Sequence, residues 1–222
     1  MSFESPPPSP RPEGFSQVNG VPPAEQPLGK ALRGCLSFVW EVLQTLLLAG
    51  VLYLGINQAT ARVRIYGTSM YPTFKSGEFV LVYRWAYHFA SPQRGDIVIF
   101  HPEAFPGAPR RASQDEYIKR IIGLPGETVT VRDGRVFINN VPIEEPYIAE
   151  PPRYRGVWRV PPGQVFVLGD NRNDSTDSHV FGPVPLDRIV GRAVLVYWPP
   201  SAWRFFSPPP YPALQPTPSP SP

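Results

Sequence analysis

The chain has few of the residues that build disulfides and metal sites. Cys35 is the only cysteine among 222 residues, which excludes an internal disulfide and a cysteine-based metal site. There are three histidines and no His-Glu-x-x-His pattern, so the usual zinc signature is missing. The formal net charge of +3 is small and dispersed, which argues against a nucleic-acid partner. The sequence therefore predicts a protein that needs neither metal nor cofactor.

Proline, by contrast, is abundant, and the 32 prolines crowd at the two ends of the chain. Residues 1–34 and 207–222 are rich in proline and serine and have few aliphatic side chains to bury. Such segments cannot offset the entropy lost on ordering, so we predict a disordered tail at each end. The length between the tails suits one folded domain of moderate size.

A long apolar segment follows the N-terminal tail. No residue is charged from Val42 to Ala61, a stretch of about 20 residues, which is enough for a helix to cross a bilayer. A buried core helix is usually shorter, and a cleaved signal peptide begins closer to the N-terminus. We therefore predict one uncleaved transmembrane helix at 35–58. Lysine and arginine are balanced on its two sides, so their count does not predict its orientation.

The sequence from 59 to 206 has the pattern of a β-protein. Short runs of β-branched and aromatic residues alternate with proline and glycine, and no helical period recurs. The predicted strands cover residues 78–83, 96–100, 117–122, 164–168 and 189–198. Residues 128–132 and 135–139 flank Asp133-Gly134, which indicates a hairpin with a two-residue turn. The predicted fold class is mainly β, with an antiparallel, barrel-like or sandwich-like core.

Two residues in this region suggest nucleophilic chemistry. Ser69 lies in a glycine-containing turn, and Lys119 lies in an apolar strand. A serine needs a base to remove its proton, and an unprotonated lysine is one such base. Alternation along the strand puts Lys119 on one face with Tyr117 and Ile121, where burial would lower the pKa of its amine. A strand lysine is more often a solvated surface charge, and the neighbouring Arg120 fits that role.

Four segments resemble, in order and content, the sequence boxes of the type I signal peptidases, also called leader peptidases. They are Ser69–Thr73, Arg94–Phe100, Tyr117–Gly126 and Gly169–Ser178. Together with the preceding anchor they cover nearly everything from Leu36 to Trp203. One box alone would be weak evidence, whereas four in order are specific. The resemblance implies a mostly β catalytic core with an inserted β-rich extension, which we assign to about 128–162.

The resemblance also implies roles for individual residues. Ser69 is the expected nucleophile, and Lys119 is the expected general base. The expected supporting residues are Ser175, which would hydrogen-bond the lysine amine, and a polar network of Asp177, Asp170 and Arg94. The pockets that would select small substrate side chains are expected to be lined by Ile65, Met70, Tyr117 and Ile118.

The implied activity is that of a membrane-anchored endopeptidase that removes signal peptides from exported preproteins. Cleavage is expected after small-x-small motifs such as Ala-x-Ala. The implied partners are preproteins and the lipid bilayer, and the implied state is a monomer near the export translocon. The resemblance places the protein in the plasma membrane, with a cytoplasmic N-terminus and an extracytoplasmic catalytic domain. Exposed aromatic residues of that domain are expected to touch the lipid interface.

Two positions depart from the family pattern. Gly67 stands where many members carry a serine whose hydroxyl helps to hold the oxyanion, so the second oxyanion donor is unassigned. His179 stands where an arginine frequently follows Asp-Ser, so an ion pair between Asp177 and an arginine is not expected.

The residues taken by themselves leave other functions open. In a histidine-based hydrolase, the base for Ser69 would be His101 or His179, and its aspartate partner would be Asp96 or Asp177. A non-catalytic, membrane-anchored β-module that binds exported chains would need neither Ser69 nor Lys119. The closely spaced Asp and Asn of residues 170–174 also suit a polar turn or a weak cation-binding loop.

Overall fold

A computed structural model describes residues 27–101 and 116–214. The parts of the predicted tails at 1–26 and 215–222 lie outside the described residues. The helices are α1 (Pro27–Ala59), α2 (Ala86–Phe89) and α3 (Ser178–Phe181). The strands are β1 (Thr60–Arg64), β2 (Phe79–Tyr83), β3 (Ile97–Phe100), β4 (Tyr117–Gly123), β5 (Thr128–Arg132), β6 (Arg135–Ile138), β7 (Val141–Pro142), β8 (Gly156–Arg159), β9 (Gln164–Leu168), β10 (Val184–Pro185), β11 (Ile189–Trp198) and β12 (Arg204–Phe205).

Helix α1 is the predicted apolar helix, and it extends past both predicted ends. Its segment Arg33–Ala59 has 27 residues and a mean hydropathy of 1.8. This length and composition are sufficient to cross a membrane. The large apolar side chains of α1 are exposed, as expected of a helix that faces lipid. Because β1 begins at Thr60, directly after the last helical residue, the sheet starts without a linker.

Two antiparallel sheets form the rest of the described chain. The larger sheet has eight strands in the order β1-β2-β11-β3-β4-β9-β10, with β12 paired to β11. The smaller sheet has the order β7-β6-β5-β8. Its strands run from Thr128 to Arg159, within the range predicted for the extension. The predicted mainly β, antiparallel fold with a preceding apolar helix is confirmed.

Strand β11 bends the larger sheet, because it pairs with two neighbours in turn. It pairs with β3 near Ile189 and with β2 towards Trp198, and the register shifts in both pairings. Such shifts mark β-bulges, which bend a strand. Gly191 lies at one shift, where a Cβ atom would come within 2.5 Å of the Tyr83 carbonyl oxygen. A larger residue would therefore disrupt this bend.

Strand β4 is central in the larger sheet, between β3 and β9, and is buried on both faces. Ile118 packs in a cluster with the β1–β2 region, and Ile121 packs in a second cluster with β3 and β9. Ile122 packs in a third cluster, which includes Val129 and other residues of the extension. Side chains of β4 are therefore held by all three parts of the core.

The C-terminal segment 207–214 corrects one prediction. Tyr211 and Leu214 pack against the cluster of the extension, and the hydroxyl groups of Tyr211 and Tyr147 lie 3.0 Å apart. The predicted disordered tail therefore does not begin at residue 207. Proline-rich composition concealed the two apolar side chains that hold this segment to the fold.

Candidate active site

Ser69 lies in a tight turn between β1 and β2. Two backbone hydrogen bonds shape the turn, from the Tyr71 N–H to the Thr68 carbonyl at 2.9 Å and from the Phe74 N–H to the Met70 carbonyl at 2.9 Å. Gly67 has a φ of +79°, a conformation that favours glycine. The sequence Gly-Thr-Ser-Met therefore suits this turn locally.

The loop after β9 holds the Ser69 turn from the other side. The Asn171 N–H donates to the Ser69 carbonyl at 3.0 Å, and the Asn171 side chain donates to the Thr68 carbonyl at 3.2 Å. At Gly169 a Cβ atom would lie 2.5 Å from the Ser69 carbonyl oxygen and 2.2 Å from Ser175 Oγ. This close approach requires glycine, so the backbone of the Ser69 turn is fixed in position.

Lys119 points from β4 to this serine. Its Nζ donates to Ser69 Oγ at 2.8 Å, and only 4% of the residue is exposed. Burial lowers the pKa of Lys119 from 10.5 to about 8, and the negative charges of Asp177 and Asp170 oppose this shift. At a pKa near 8 about a tenth of the amine is neutral at pH 7, compared with less than about 0.1% for a solvated lysine. The site thus contains a hydroxyl next to an amine that loses its proton easily.

A cleft of about 550 Å³ opens over this pair. It is lined by Tyr66, Gly67, Thr68, Ser69, Glu116, Tyr117, Ile118, Lys119, Asp174 and Thr176. Of the four predicted pocket residues, Tyr117 and Ile118 line the cleft. Ile65 and Met70 are not among the lining residues, and both are buried in a core cluster.

The Oγ atom of Ser175 is buried, but it does not make the implied hydrogen bond to Lys119. Its Oγ has no hydrogen-bond partner among the described residues. It lies next to Gly169, close to the backbone of the Ser69 turn. Among the described residues the hydrogen-bond partner of the lysine amine is Ser69, and the contact implied between Ser175 and this amine is not formed.

Asp177 pairs with a histidine. One carboxylate oxygen accepts from the Gly169 N–H at 2.8 Å, and the other lies 2.7 Å from His179 Nδ1. The His179 ring stacks on Tyr154, with ring centres 4.0 Å apart. The histidine that replaces the usual arginine therefore supplies the partner of Asp177. Among the described residues neither His179 nor His101 hydrogen-bonds Ser69, in contrast to the histidine-based alternative.

Asp170 forms a buried ion pair with Arg120, which sequence reasoning had assigned to the surface. Asp170 accepts from Arg120 Nε at 2.8 Å and Nη2 at 2.7 Å, and it also accepts from the Thr73 hydroxyl at 2.5 Å. Arg120 is 4% exposed, and Asp170 is fully buried. The surface assignment of Arg120 is wrong.

Arg94 does not belong to this network. It forms a bidentate pair with Glu127, at 2.9 and 2.6 Å, and also donates to the Ile122 carbonyl. Its implied place beside Asp170 is taken by Arg120. No part of the sequence signals this exchange, because both arginines lie in matching boxes.

The described residues contain no group of three or more His, Cys, Asp or Glu side chains arranged to hold a metal ion. In the loop that follows β9, the Asp170 carboxylate is occupied by Arg120 and Thr73, and Asp174 accepts from the Thr68 hydroxyl at 2.6 Å. These contacts support the polar-turn reading of residues 170–174.

Comparison with known proteins identifies the family. A family model described as signal peptidase, peptidase S26, matches residues 37–198. Signal peptidase I of Leptolyngbya laminosa is 42% identical over 212 residues, which are 95% of this chain and 99% of that protein. Probable signal peptidase I-1 of Synechocystis is 44% identical over 168 residues, or 75% of this chain and 86% of that protein. A crystal structure of a signal peptidase I from Enterococcus faecalis is 36% identical, covers 46% of this chain and 97% of its own, and has a TM-score of 0.40. The chain belongs to the peptidase S26 family of signal peptidases, as its four ordered boxes predicted.

Proposed function

We propose that the protein is a membrane-anchored serine endopeptidase that removes N-terminal signal peptides from exported preproteins. Ser69 is the nucleophile, and Lys119 is the general base. The observation that carries this proposal is the 2.8 Å contact between a buried lysine amine and a serine hydroxyl at the floor of a cleft. No carboxylate of the described residues hydrogen-bonds that amine, and burial lowers its pKa to about 8 despite the charges of Asp177 and Asp170.

The reaction follows from this geometry. The neutral Lys119 amine accepts the hydroxyl proton while Ser69 Oγ attacks the scissile carbonyl carbon. The resulting ammonium group gives the proton to the leaving amine of the mature protein, and an acyl-enzyme remains. Lys119 then takes a proton from water, whose oxygen attacks the acyl carbon. The ammonium group gives this proton to Ser69 Oγ as the bond from Oγ to the acyl carbon breaks, and the signal peptide is released with a new carboxyl end. The lysine returns to its starting state after each cycle.

The developing oxyanion needs a donor close to Ser69. The backbone N–H of Ser69 has no partner among the described residues, so it is free for this purpose. Gly67 offers no hydroxyl, and the Thr68 hydroxyl is already bonded to Asp174. We therefore assign the first oxyanion donor to the Ser69 N–H.

Substrate selection by exclusion fits the walls of the cleft. Tyr117 and Ile118 line it beside Lys119, and a shallow apolar wall of this kind admits alanine but obstructs larger side chains. Ile65 and Met70 support this wall from the core beneath it. This arrangement supports a preference for small residues at the first and third positions before the cut.

Helix α1 is long and apolar enough to anchor the chain in a membrane. We propose a cytoplasmic N-terminus and an extracytoplasmic catalytic domain in the plasma membrane, because the scissile bond of a preprotein emerges on that side. Tethering raises the effective concentration of enzyme near this bond. Exposed aromatic side chains that suit a lipid interface are Trp85, Phe89, Trp203 and Phe205. Two other aromatic residues of this domain, Tyr87 and Phe206, instead contact Asp96 and Phe74 respectively.

Cleavage of a synthetic Ala-x-Ala signal peptide by the full-length enzyme in detergent tests the proposal. Ser69→Ala and Lys119→Ala should each lower kcat/KM by about 10⁴-fold or more, because a nucleophile and its base act as a unit. Ser76→Ala and Lys75→Ala are matched controls on the same β1–β2 connection, where both residues are exposed, and they should leave the rate unchanged.

Three results would contradict the proposal. Normal cleavage by Ser69→Ala would exclude this serine as the nucleophile, whereas no cleavage by the wild type would favour the non-catalytic module. Normal cleavage by Lys119→Ala would exclude Lys119 as the base and favour the histidine-based alternative. Replacing either small residue of the peptide motif by leucine tests specificity, and equal cleavage of that peptide would remove the proposed Ala-x-Ala preference.

A further inference from the structure

The segment 207–214, called here the C-terminal strap, joins the larger sheet to the extension. It leaves β12 and passes over Gly95, where a Cβ atom would come within 2.7 Å of Pro209 and 3.2 Å of Pro208. It ends in a short helical turn, Pro212–Leu214, beside β7. The strap therefore touches the start of β3 and the extension within a few residues.

Tyr211 is the residue of the strap that enters a polar network. Its hydroxyl lies 3.0 Å from that of Tyr147, which also donates to Glu145 at 2.9 Å. Burial raises the pKa of both tyrosines, so their hydroxyls stay protonated at neutral pH. The ring of Tyr147 covers the Arg120 guanidinium at 4.0 Å. One tyrosine of the strap thus holds the tyrosine that covers Arg120.

Arg120 connects this tyrosine pair to both residues of the candidate site. It follows Lys119 directly on β4, and it binds Asp170 through two hydrogen bonds. Its Nη1 also donates to the carbonyl of Gly95 at 3.0 Å, the residue against which the strap packs. Asp170 precedes Asn171, whose N–H holds the Ser69 backbone. Any shift of Arg120 would therefore reach Lys119 and Ser69 together.

A second route leads from Tyr147 to the same place. Glu145 accepts from Tyr147 and forms a bidentate pair with the buried Arg172, at 2.7 and 2.5 Å. Arg172 Nε donates to the Gly169 carbonyl at 3.0 Å. Gly169 is the residue that packs against the Ser69 carbonyl. Tyr147 is thus linked to the Ser69 turn by two routes, one through its ring contact with Arg120 and one through its hydrogen bond to Glu145.

We propose that Tyr147 and Tyr211 are positioning residues, through which the C-terminal strap fixes the Arg120–Asp170 pair and hence the distance between Ser69 and Lys119. This proposal rests on the proposed function of those two residues. Neither tyrosine is among the residues that line the cleft, so the strap acts through the network.

Loss of the strap is expected to raise the pKa of Lys119. Asp170 opposes the lowering of the Lys119 pKa, and Arg120 neutralises part of its charge. If Arg120 becomes mobile, the field of Asp170 at Lys119 increases and water reaches the amine. Both changes raise the pKa of Lys119, so the ascending limb of the pH–rate profile should move to higher pH. A loss of global stability alone would not move that limb.

The experiment compares two truncations of the full-length enzyme, one ending at Ser207 and one ending at Leu214. The first removes the strap, and the second is the matched control that retains it. With a short Ala-x-Ala peptide, the Ser207 truncation should lose about ten- to a hundredfold in kcat, with a smaller change in KM, because a small displacement of reacting groups has effects of this size. Its ascending limb should shift to higher pH, whereas the Leu214 truncation should match the full chain.

Point variants test the same route if the Ser207 truncation does not fold. Tyr147→Leu removes the ring over Arg120 and should approach the effect of the truncation. Tyr147→Phe keeps that ring but loses its hydroxyl contact with Tyr211, as does Tyr211→Phe, so each should show a smaller loss of kcat and a smaller shift of the limb in the same direction. Tyr197→Phe is the control, because its ring packs on Phe79 and its hydroxyl has no hydrogen bond among the described residues.

Two outcomes would overturn the proposal. In the first, the two truncations, or Tyr147→Leu and the wild type, have equal kcat and equal pH profiles. In the second, activity falls only in proportion to the unfolded fraction, and the limb stays in place. The Ser69→Ala variant keeps the two proposals distinguishable. If it is inactive and the strap variants are normal, only the strap proposal fails; if it is active, the assignment of Ser69 fails.

Discussion

Strand β4 carries two neighbouring basic residues, Lys119 and Arg120, on opposite faces. The pKa of the first is lowered and that of the second is raised. Lys119 and Arg120 are equally buried, each 4% exposed. On one face, Lys119 meets a serine hydroxyl and no hydrogen-bonded carboxylate among the described residues, and burial lowers the pKa of its amine. On the other face, burial alone would lower the pKa of Arg120, but its bonds to Asp170 raise it. Equal burial therefore leaves the Lys119 amine with a lowered pKa, whereas the Arg120 guanidinium, which is charged near neutral pH in any setting, is held by Asp170.

The largest expected effect is a loss of activity when Lys119 is replaced by arginine, so that both faces of β4 carry a guanidinium group. Lys119→Arg keeps a cation at the site, but a guanidinium group does not lose its proton near neutral pH. We expect kcat/KM for the synthetic peptide to fall by about 10⁴-fold, which corresponds to about 5 kcal/mol of transition-state stabilisation. The control is Lys75→Arg, which is exposed. Activity within tenfold of wild type would show that the charge of Lys119 matters rather than its proton.

The second-largest effect is a loss of folding stability when the Arg120–Asp170 pair is broken. Arg120→Met leaves Asp170 buried without a counter-charge, and breaking such a pair usually costs about 3–5 kcal/mol. Chemical denaturation of the full chain in detergent, followed by tryptophan fluorescence, measures this loss. The double variant with Asp170→Asn should recover most of it, because no buried charge then remains. A matched surface control is Arg153→Met, whose exposed pair with Glu150 should be worth less than about 1 kcal/mol. Equal losses of unfolding free energy for Arg120→Met and Arg153→Met would show that the buried pair with Asp170 contributes no more than an exposed pair.

The contrast between Lys119 and Arg120 was not predictable from the sequence. Both residues lie in one apolar strand, and local pattern gives each the same prior of a surface charge. What separates them is Asp170, fifty residues later, which reaches Arg120 only because β4 pairs with β9. In that pairing Arg120 lies opposite Leu168, so the turn beyond β9 brings Asp170 to the guanidinium. A long-range register of this kind has no local signature.

Local signals did predict much of the fold. Asp133 and Gly134 have φ angles of +50° and +72°, as a two-residue hairpin turn requires, and strands β5 and β6 flank them. The apolar runs that predicted β9 and β11 coincide with the strands at 164–168 and 189–198. In contrast, the ordered part of the C-terminal segment was missed, because average composition hides single anchors such as Tyr211. The pairing of Asp177 with His179 was not predicted, because family members frequently have an arginine at the position of His179.

A third prediction compares one substitution on both faces. Lys119→Met should raise the free energy of unfolding by about 1–3 kcal/mol at pH 7, whereas Arg120→Met lowers it. The folded state holds the Lys119 pKa near 8, below its value of 10.5 in the unfolded chain, so folding opposes protonation of this amine. Wild-type stability should therefore rise as pH increases from about 8 to 10.5, and the advantage of Lys119→Met should fade over that range. A constant difference across this range would show that the amine is not desolvated.

The smallest effect tests the electrostatic balance around the base itself. Asp177 raises the pKa of Lys119 against the effect of burial, and its own hydrogen bonds go to Gly169 and His179. Asp177→Asn keeps an oxygen that accepts from the Gly169 N–H but removes the negative charge. The pKa of Lys119 should then fall, and the ascending limb of the kcat/KM profile should move down by about half a unit to one unit. Asp187→Asn, at an exposed position, is the control and should leave the limb in place. A shift to higher pH would mean that water entering the site raises the pKa of Lys119 by more than the loss of the Asp177 charge lowers it.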